Sequence, residues 1–237
     1  RARHVREAGE EGWGSIGRRR AIDLAVDAAV PTVFSGPFLS WAAFEKWADP
    51  EYLSRVMFER RRIPVKVSAA PTFTLFAGGA HKGQQEIQPE TVDYTWREMD
   101  VMAMFNSSAS ATPASPGGPP RFKYFTGEVP ETAGADVQRS DLAVDRIGHG
   151  SDTMSRGMLW MGNAGVTAQT HHDRSYNLFA QIVGRKAFYL LPPTQWEALD
   201  MHPSYHGSRR QSQTKFSLRT ASEEEISGIG HGRSLDM

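Results

Sequence analysis

His171 and Asp173 are separated by a single residue within residues 165–193, and that spacing can do chemistry if the chain there is extended. Alternate side chains of a strand point to the same face, so an imidazole and a carboxylate would aim the same way. With one further histidine they would complete the facial triad that holds iron(II) and leaves positions open. Downstream, Gly184-Arg185 reads as a two-residue turn. That turn would pair Val183 with Lys186, Gln181 with Phe188 and Phe179 with Leu190. Asn177, Phe179 and Gln181 then share the face of Lys186. His171 and Asp173 join it if the path continues upstream without a bulge. The opposite face (Leu178, Ala180, Ile182, Ala187, Tyr189, Leu191) is apolar. A lysine in such a strand pair needs an anion to offset its burial. The carboxylate of an organic-acid cosubstrate would serve. A lone His-x-Asp occurs by chance in many chains; the turn, Asn177 and Lys186 on a shared face give this one its weight. His172, between the two ligands, should point the other way, into packing or solvent.

The elements that position these residues are legible to different degrees. Residues 176–183 and 186–191 read as the strands of the hairpin. Residues 121–126, 157–162 and 166–170 read as strands before it. Earlier strands are expected at 31–34, 63–68 and 72–76. Helices are expected at 21–30, 41–47 and 50–57, with Trp41, Phe44 and Trp47 on one face. Thr95-Trp96-Arg97-Glu98 has the form of a capping box and predicts a helix running through Met102 and Phe105. Residues 194–199 could add one or two helical turns, and no further strand is evident from Met201 onward. The stretch 107–120 is rich in Ser, Ala, Pro and Gly and reads as a flexible insertion. Residues 1–20 and 216–237 read as poorly ordered ends, and 21–215 as one domain.

Composition narrows the alternatives. The chain has 237 residues, no formal net charge, 39% hydrophobic and 23% charged residues, an ordinary balance for a globular domain. Neutrality argues against a general binder of nucleic acid or membrane surfaces. The runs at 18–20 and 60–62 read as solvated arginine faces, and no DNA-binding motif is present. The absence of cysteine excludes disulfides, zinc fingers, iron–sulfur clusters and thiol nucleophiles, and fits an intracellular setting, cytoplasmic or nuclear. No apolar run approaches the roughly 20 residues that span a bilayer. There is no Gly-x-Ser-x-Gly elbow, phosphate-binding loop or dinucleotide fingerprint, so hydrolase, kinase and nucleotide-binding readings find no support.

The stretch 165–193 resembles the signature of the JmjC and cupin-like 2-oxoglutarate oxygenases, above all the small hydroxylases that include the hypoxia-response asparaginyl hydroxylase. The resemblance is specific within 160–193 and weaker over 30–215, where Val33 to Trp41, Trp160-Met-Gly, His202-Pro-Ser-Tyr and Gln211-Ser-Gln carry it. It implies a mainly β fold with flanking helices (α+β), a double-stranded β-helix of the jelly-roll or cupin kind. It implies iron(II) on His171 and Asp173. It implies 2-oxoglutarate with its far carboxylate on Lys186, assisted by Asn177, Tyr124 and Thr167, with Thr170 an alternative to Thr167. It also implies a protein or RNA substrate, which the sequence does not name, and leaves the oligomeric state open, a dimer included. One part of the pattern is missing: the second metal histidine on a late strand. His202 and His206 follow the hairpin too closely, and His231 lies in a glycine-rich setting without a strand pattern. The expectation is a chain lacking its last strands, as a fragment or with an unrelated tail, or a pseudoenzyme that has lost the triad. A non-catalytic cupin-like binding module is the rival reading. A metal-dependent cupin without 2-oxoglutarate would leave Lys186 and Asn177 unexplained.

Overall fold

The computed structural model describes residues 6–8, 16–35, 38–73, 94–105, 121–137, 157–173, 176–193, 199, 201–204, 209–212 and 233–236. Its centre is an antiparallel sheet of four strands: β3 (Ile63–Ser68), β5 (Tyr94–Met99), β6 (Phe122–Glu128) and β7 (Met158–Gly162), in the order β5-β3-β6-β7. The alternation of β3 explains why it lies inside. Ile63, Val65 and Val67 point to one face and are buried there with Phe125 and Met161 from β6 and β7. Pro64 has no N–H to give a ladder, and the β3–β6 register runs only from Lys66 to Ser68, clear of it.

Helices cover that apolar face. They are α2 (Ala43–Lys46), α3 (Pro50–Tyr52) continuing into a π-helical turn at Leu53–Met57, and α4 (Val101–Phe105). Trp47, Leu53, Met57, Val101 and Met104 supply the buried side chains. A 3₁₀ turn, Glu131–Asp136, follows β6 and delivers Asp136 beneath them. The Asp136 carboxylate is buried. It accepts from Lys46 Nζ at 2.6 Å, Trp47 Nε1 at 3.1 Å and Tyr52 OH at 2.5 Å, tying three points on the helices to the end of β6. A smaller cluster forms where α1 (Arg18–Ala28) packs Ala21 and Ile22 against Phe38.

Short pairs complete the fold. β1 (Arg6–Ala8) runs parallel to β2 (Thr32–Phe34), and β4 (Thr72–Phe73) parallel to β8 (Thr167–Ala168). β9 (Ala187–Leu190) pairs antiparallel with β10 (Arg233–Asp236). Among the described residues no helix is long and apolar enough to cross a membrane.

Four sequence expectations change. Tyr94–Met99 is a strand, not the start of a helix. Six register pairs to β3 outweigh the capping-box pattern, and the helix begins after Asp100, whose carboxylate accepts from the Met102 amide at 2.7 Å. Residues 176–183 form no ladder with 186–191. The chain does turn at Gly184, in the left-handed region at φ 80°, but β9 takes its hydrogen bonds from β10 instead. A strand therefore does occur after Met201. Within 1–20, residues 6–8 pair with β2 and α1 starts at Arg18. The insertion at 107–120 and His231 lie outside the described residues, as do residues 194–198 and 74–76.

Candidate functional site

The face of the central sheet away from the helices carries the polar and aromatic groups. Register places Tyr124 of β6 opposite Lys66 of β3 and Gly162 of β7. A Cβ at position 162 would stand 3.3 Å from the Tyr124 ring, so glycine there lets the ring lie flat along the strand. Phe73 of β4 packs against Tyr124, with ring centroids 5.4 Å apart, and against Tyr94 at 6.0 Å. Burial pushes the Tyr124 hydroxyl up to about 12, so it stays protonated, and a donor, at neutral pH.

Thr167 lies on β8 opposite Thr72, next to Phe73, and its amide donates to Pro71 at 2.9 Å. Its hydroxyl donates to the Gly165 carbonyl at 3.3 Å. The β4–β8 pair reaches Tyr124 through Phe73, and alternation puts the Thr167 side chain on the other face of that pair from Phe73.

Lys186 sits just before β9, with its ammonium 4.1 Å from the Phe179 ring centroid and 4.8 Å from that of Phe188. Phe179 in turn meets Trp160 of β7 at 5.8 Å, on the same sheet face as Tyr124. Burial lowers the Lys186 pKa. The expected pairing of Val183 with Lys186 and Phe179 with Leu190 does not form, and Lys186 meets the Phe179 ring instead. The rings of Phe179 and Phe188 pack edge to face at 5.1 Å and hold the turn together. Asn177 is exposed.

His171 and Asp173 are both exposed, and they are positioned by a contact that sequence reasoning missed. His171 forms an antiparallel bridge with Gln211. The His172 amide donates to the Arg210 carbonyl at 3.0 Å, and the Ser212 amide to Thr170 at 2.9 Å. The Gln169 side-chain amide also donates to the Ser212 carbonyl. The only hint in the sequence was the resemblance carried by Gln211-Ser-Gln. His171 Nδ1 lies 2.6 Å from the Gln169 carbonyl oxygen. A carbonyl can only accept, so Nδ1 donates in this contact, and in the neutral ring Nε2 is the nitrogen with the lone pair. That is the arrangement in which a metal-binding histidine is oriented by a backbone carbonyl. Asp173 Oδ1 lies 3.9 Å from the guanidinium of Arg210.

These groups therefore fit iron(II) and 2-oxoglutarate in part. A correctly oriented imidazole and an exposed carboxylate stand two residues apart. A partly buried ammonium and a protonated phenol lie on the sheet side, while the Thr167 hydroxyl is held by the Gly165 carbonyl. Among the described residues, no three His, Asp or Glu side chains gather closely enough to hold a metal. His202 is buried, with its amide donating to the Gln211 carbonyl at 3.0 Å, which places it in the packing of this segment.

The comparison with known families agrees with the architecture. A family model described as a cupin-like domain matches residues 21–231. An antiparallel sheet with one face under helices and the other carrying polar groups is consistent with a mainly β cupin, or jelly roll, with flanking helices. The match covers most of the 237 residues, and the chain belongs to the cupin-like domain family.

Proposed function

We propose that this chain is the iron- and 2-oxoglutarate-binding part of an oxygenase that hydroxylates a protein side chain or an RNA base. The observation that carries this reading is Lys186. Its ammonium is desolvated over two phenyl rings and meets no carboxylate among the described residues. A cation held this way gains when an anion arrives, because part of its own hydration is already lost. The far carboxylate of 2-oxoglutarate is such an anion.

His171, through Nε2, and Asp173 would hold the iron. With both bound, dioxygen would be the oxidant: iron would activate it, 2-oxoglutarate would be oxidised to succinate and carbon dioxide, and the second oxygen atom would go to the substrate. The remaining work belongs to the chain. Lys186 fixes the far end of the cosubstrate by charge. The Tyr124 hydroxyl, protonated at neutral pH, donates a hydrogen bond to it. Thr167 offers a second hydroxyl. Phe179, Phe188 and Trp160 keep water from the lysine end and so strengthen its hold on a carboxylate.

The test is succinate formation from 2-oxoglutarate with Fe(II) and oxygen. Lys186→Ala should lose at least about tenfold in 2-oxoglutarate turnover, the worth of one charge-assisted contact. A Lys186→Ala protein as active as the parent ends this assignment.

A second reading, a non-catalytic cupin-like binding module, is favoured by Arg210. Its guanidinium faces Asp173 at 3.9 Å and already answers part of that carboxylate's charge. Mn(II) affinity separates the two readings: a protein with no measurable Mn(II) binding supports the module.

A further inference from the structure

The sheet face that carries Tyr124 holds a second lysine, which the oxygenase reading leaves without a task. Lys66 lies in the middle of β3, with Trp96 of β5 on one side and Tyr124 of β6 on the other. It is only 4% exposed. Its ammonium stands 5.1 Å from the Tyr94 ring centroid and 5.3 Å from that of Trp96. Among the described residues the Lys66 ammonium meets rings and no hydrogen-bond acceptor or carboxylate. Burial lowers its pKa, as expected for an ammonium whose water has been replaced by rings. Two cation–π contacts offset part of that desolvation, but a full charge in such a setting remains costly until an anion meets it. Trp96, one of the two walls, is 57% exposed, so a turn of its ring toward solvent would uncover the ammonium to a ligand.

We infer that Lys66, walled by Tyr94 and Trp96, is a substrate subsite that takes a carboxylate, so that the substrate is an acidic peptide segment. A single ammonium between two rings suits one flat carboxylate. A nucleic-acid backbone is instead tracked by several cations. Among the described residues on this face of the four strands, Lys66 is the one cation, and Glu98 and Glu128 are the carboxylates. The inference rests on the oxygenase reading only for calling the carboxylate a substrate's; the subsite itself stands on Lys66.

The test titrates the full chain, with Mn(II) and saturating 2-oxoglutarate and again without either, with three probes. These are the blocked peptide acetyl-Gly-Asp-Gly-amide, its asparaginyl counterpart, and inorganic phosphate. The aspartyl peptide should bind at least about tenfold more tightly than the asparaginyl one, the difference one charged hydrogen bond makes. Lys66→Met should erase that preference while leaving 2-oxoglutarate affinity unchanged, and Lys66→Arg should restore part of it. Met fills the buried stem, and circular dichroism checks that the variant folds. Equal binding of both peptides, a Lys66→Met protein that keeps the preference, or phosphate binding more tightly than the aspartyl peptide overturns the inference. If Lys186→Met leaves 2-oxoglutarate binding intact while Lys66→Met still removes the aspartyl preference, the oxygenase reading fails and the subsite stands.

Discussion

Replacing Asp136 with Ala tests how the helices are held to the back of the site's sheet. The carboxylate is 3% exposed and receives three donors. Lys46, with its side chain 46% exposed, can return to water, so its part is small. Trp47 is 6% exposed, and its Nε1–H would be left buried with no acceptor. Tyr52 is half-buried, and its hydroxyl would find water only partly. A stranded buried donor costs about 1–3 kcal/mol. Taking about 2 for Trp47 and about 1 for Tyr52, the substitution should destabilise by about 3 kcal/mol. In urea, where the slope is about 1–3 kcal/mol per molar, the midpoint should fall by at least about 1 M. A shift under about 0.3 M, at unchanged slope, would refute the account of the network. The pH dependence has a definite sign. Burial pushes the Asp136 carboxyl up, but the hydrogen bonds from Lys46, Tyr52 and Trp47 outweigh it and hold the folded pKa below 3.8. The stabilisation is present above that value and is lost as pH falls through the lower folded value. Asp136→Ala should therefore show a flatter acid limb than the parent.

Other outcomes follow from single groups. Lys66→Met should raise the urea midpoint, by about 1–3 kcal/mol in stability, because it removes a buried ammonium with no anion. In the parent, the lowered Lys66 pKa means that stability rises with pH between the folded value and the ordinary 10.5, and Lys66→Met should abolish that rise. Arg210→Ala should strengthen Mn(II) binding severalfold by freeing Asp173, and weaker binding would give Arg210 a structural role instead. Asp100→Ala should cost about 1 kcal/mol through loss of the cap on the Met102 amide, read from thermal unfolding.

Much of this was local and therefore legible in the sequence. The strand 63–68 follows from strict alternation, with Ile63, Val65 and Val67 on one face, and the structure keeps its bounds. The helices near 43–57 follow from aromatic spacing, and the structure adds a cap in which the Asp49 carboxylate accepts from the Glu51 amide. The turn at Gly184 was legible, but the pairing counted across it was not kept: the rings of Phe179 and Phe188 pack on Lys186 without a ladder. What the sequence could not decide depended on distant partners. Residues 94–99 carry a helix-start pattern, yet β3 offers them a full register of hydrogen bonds, and that non-local gain outweighs the local preference. Strand β10 has no pattern of its own and exists by pairing with β9. The backbone around His171 is set by residues 210–212, about forty positions later. Lys66 looked like one more lysine in a strand. Only the stacking of β5 and β6 on either side of β3 shows that its charge is buried between aromatic rings, because burial belongs to the assembled sheet and not to any segment of it.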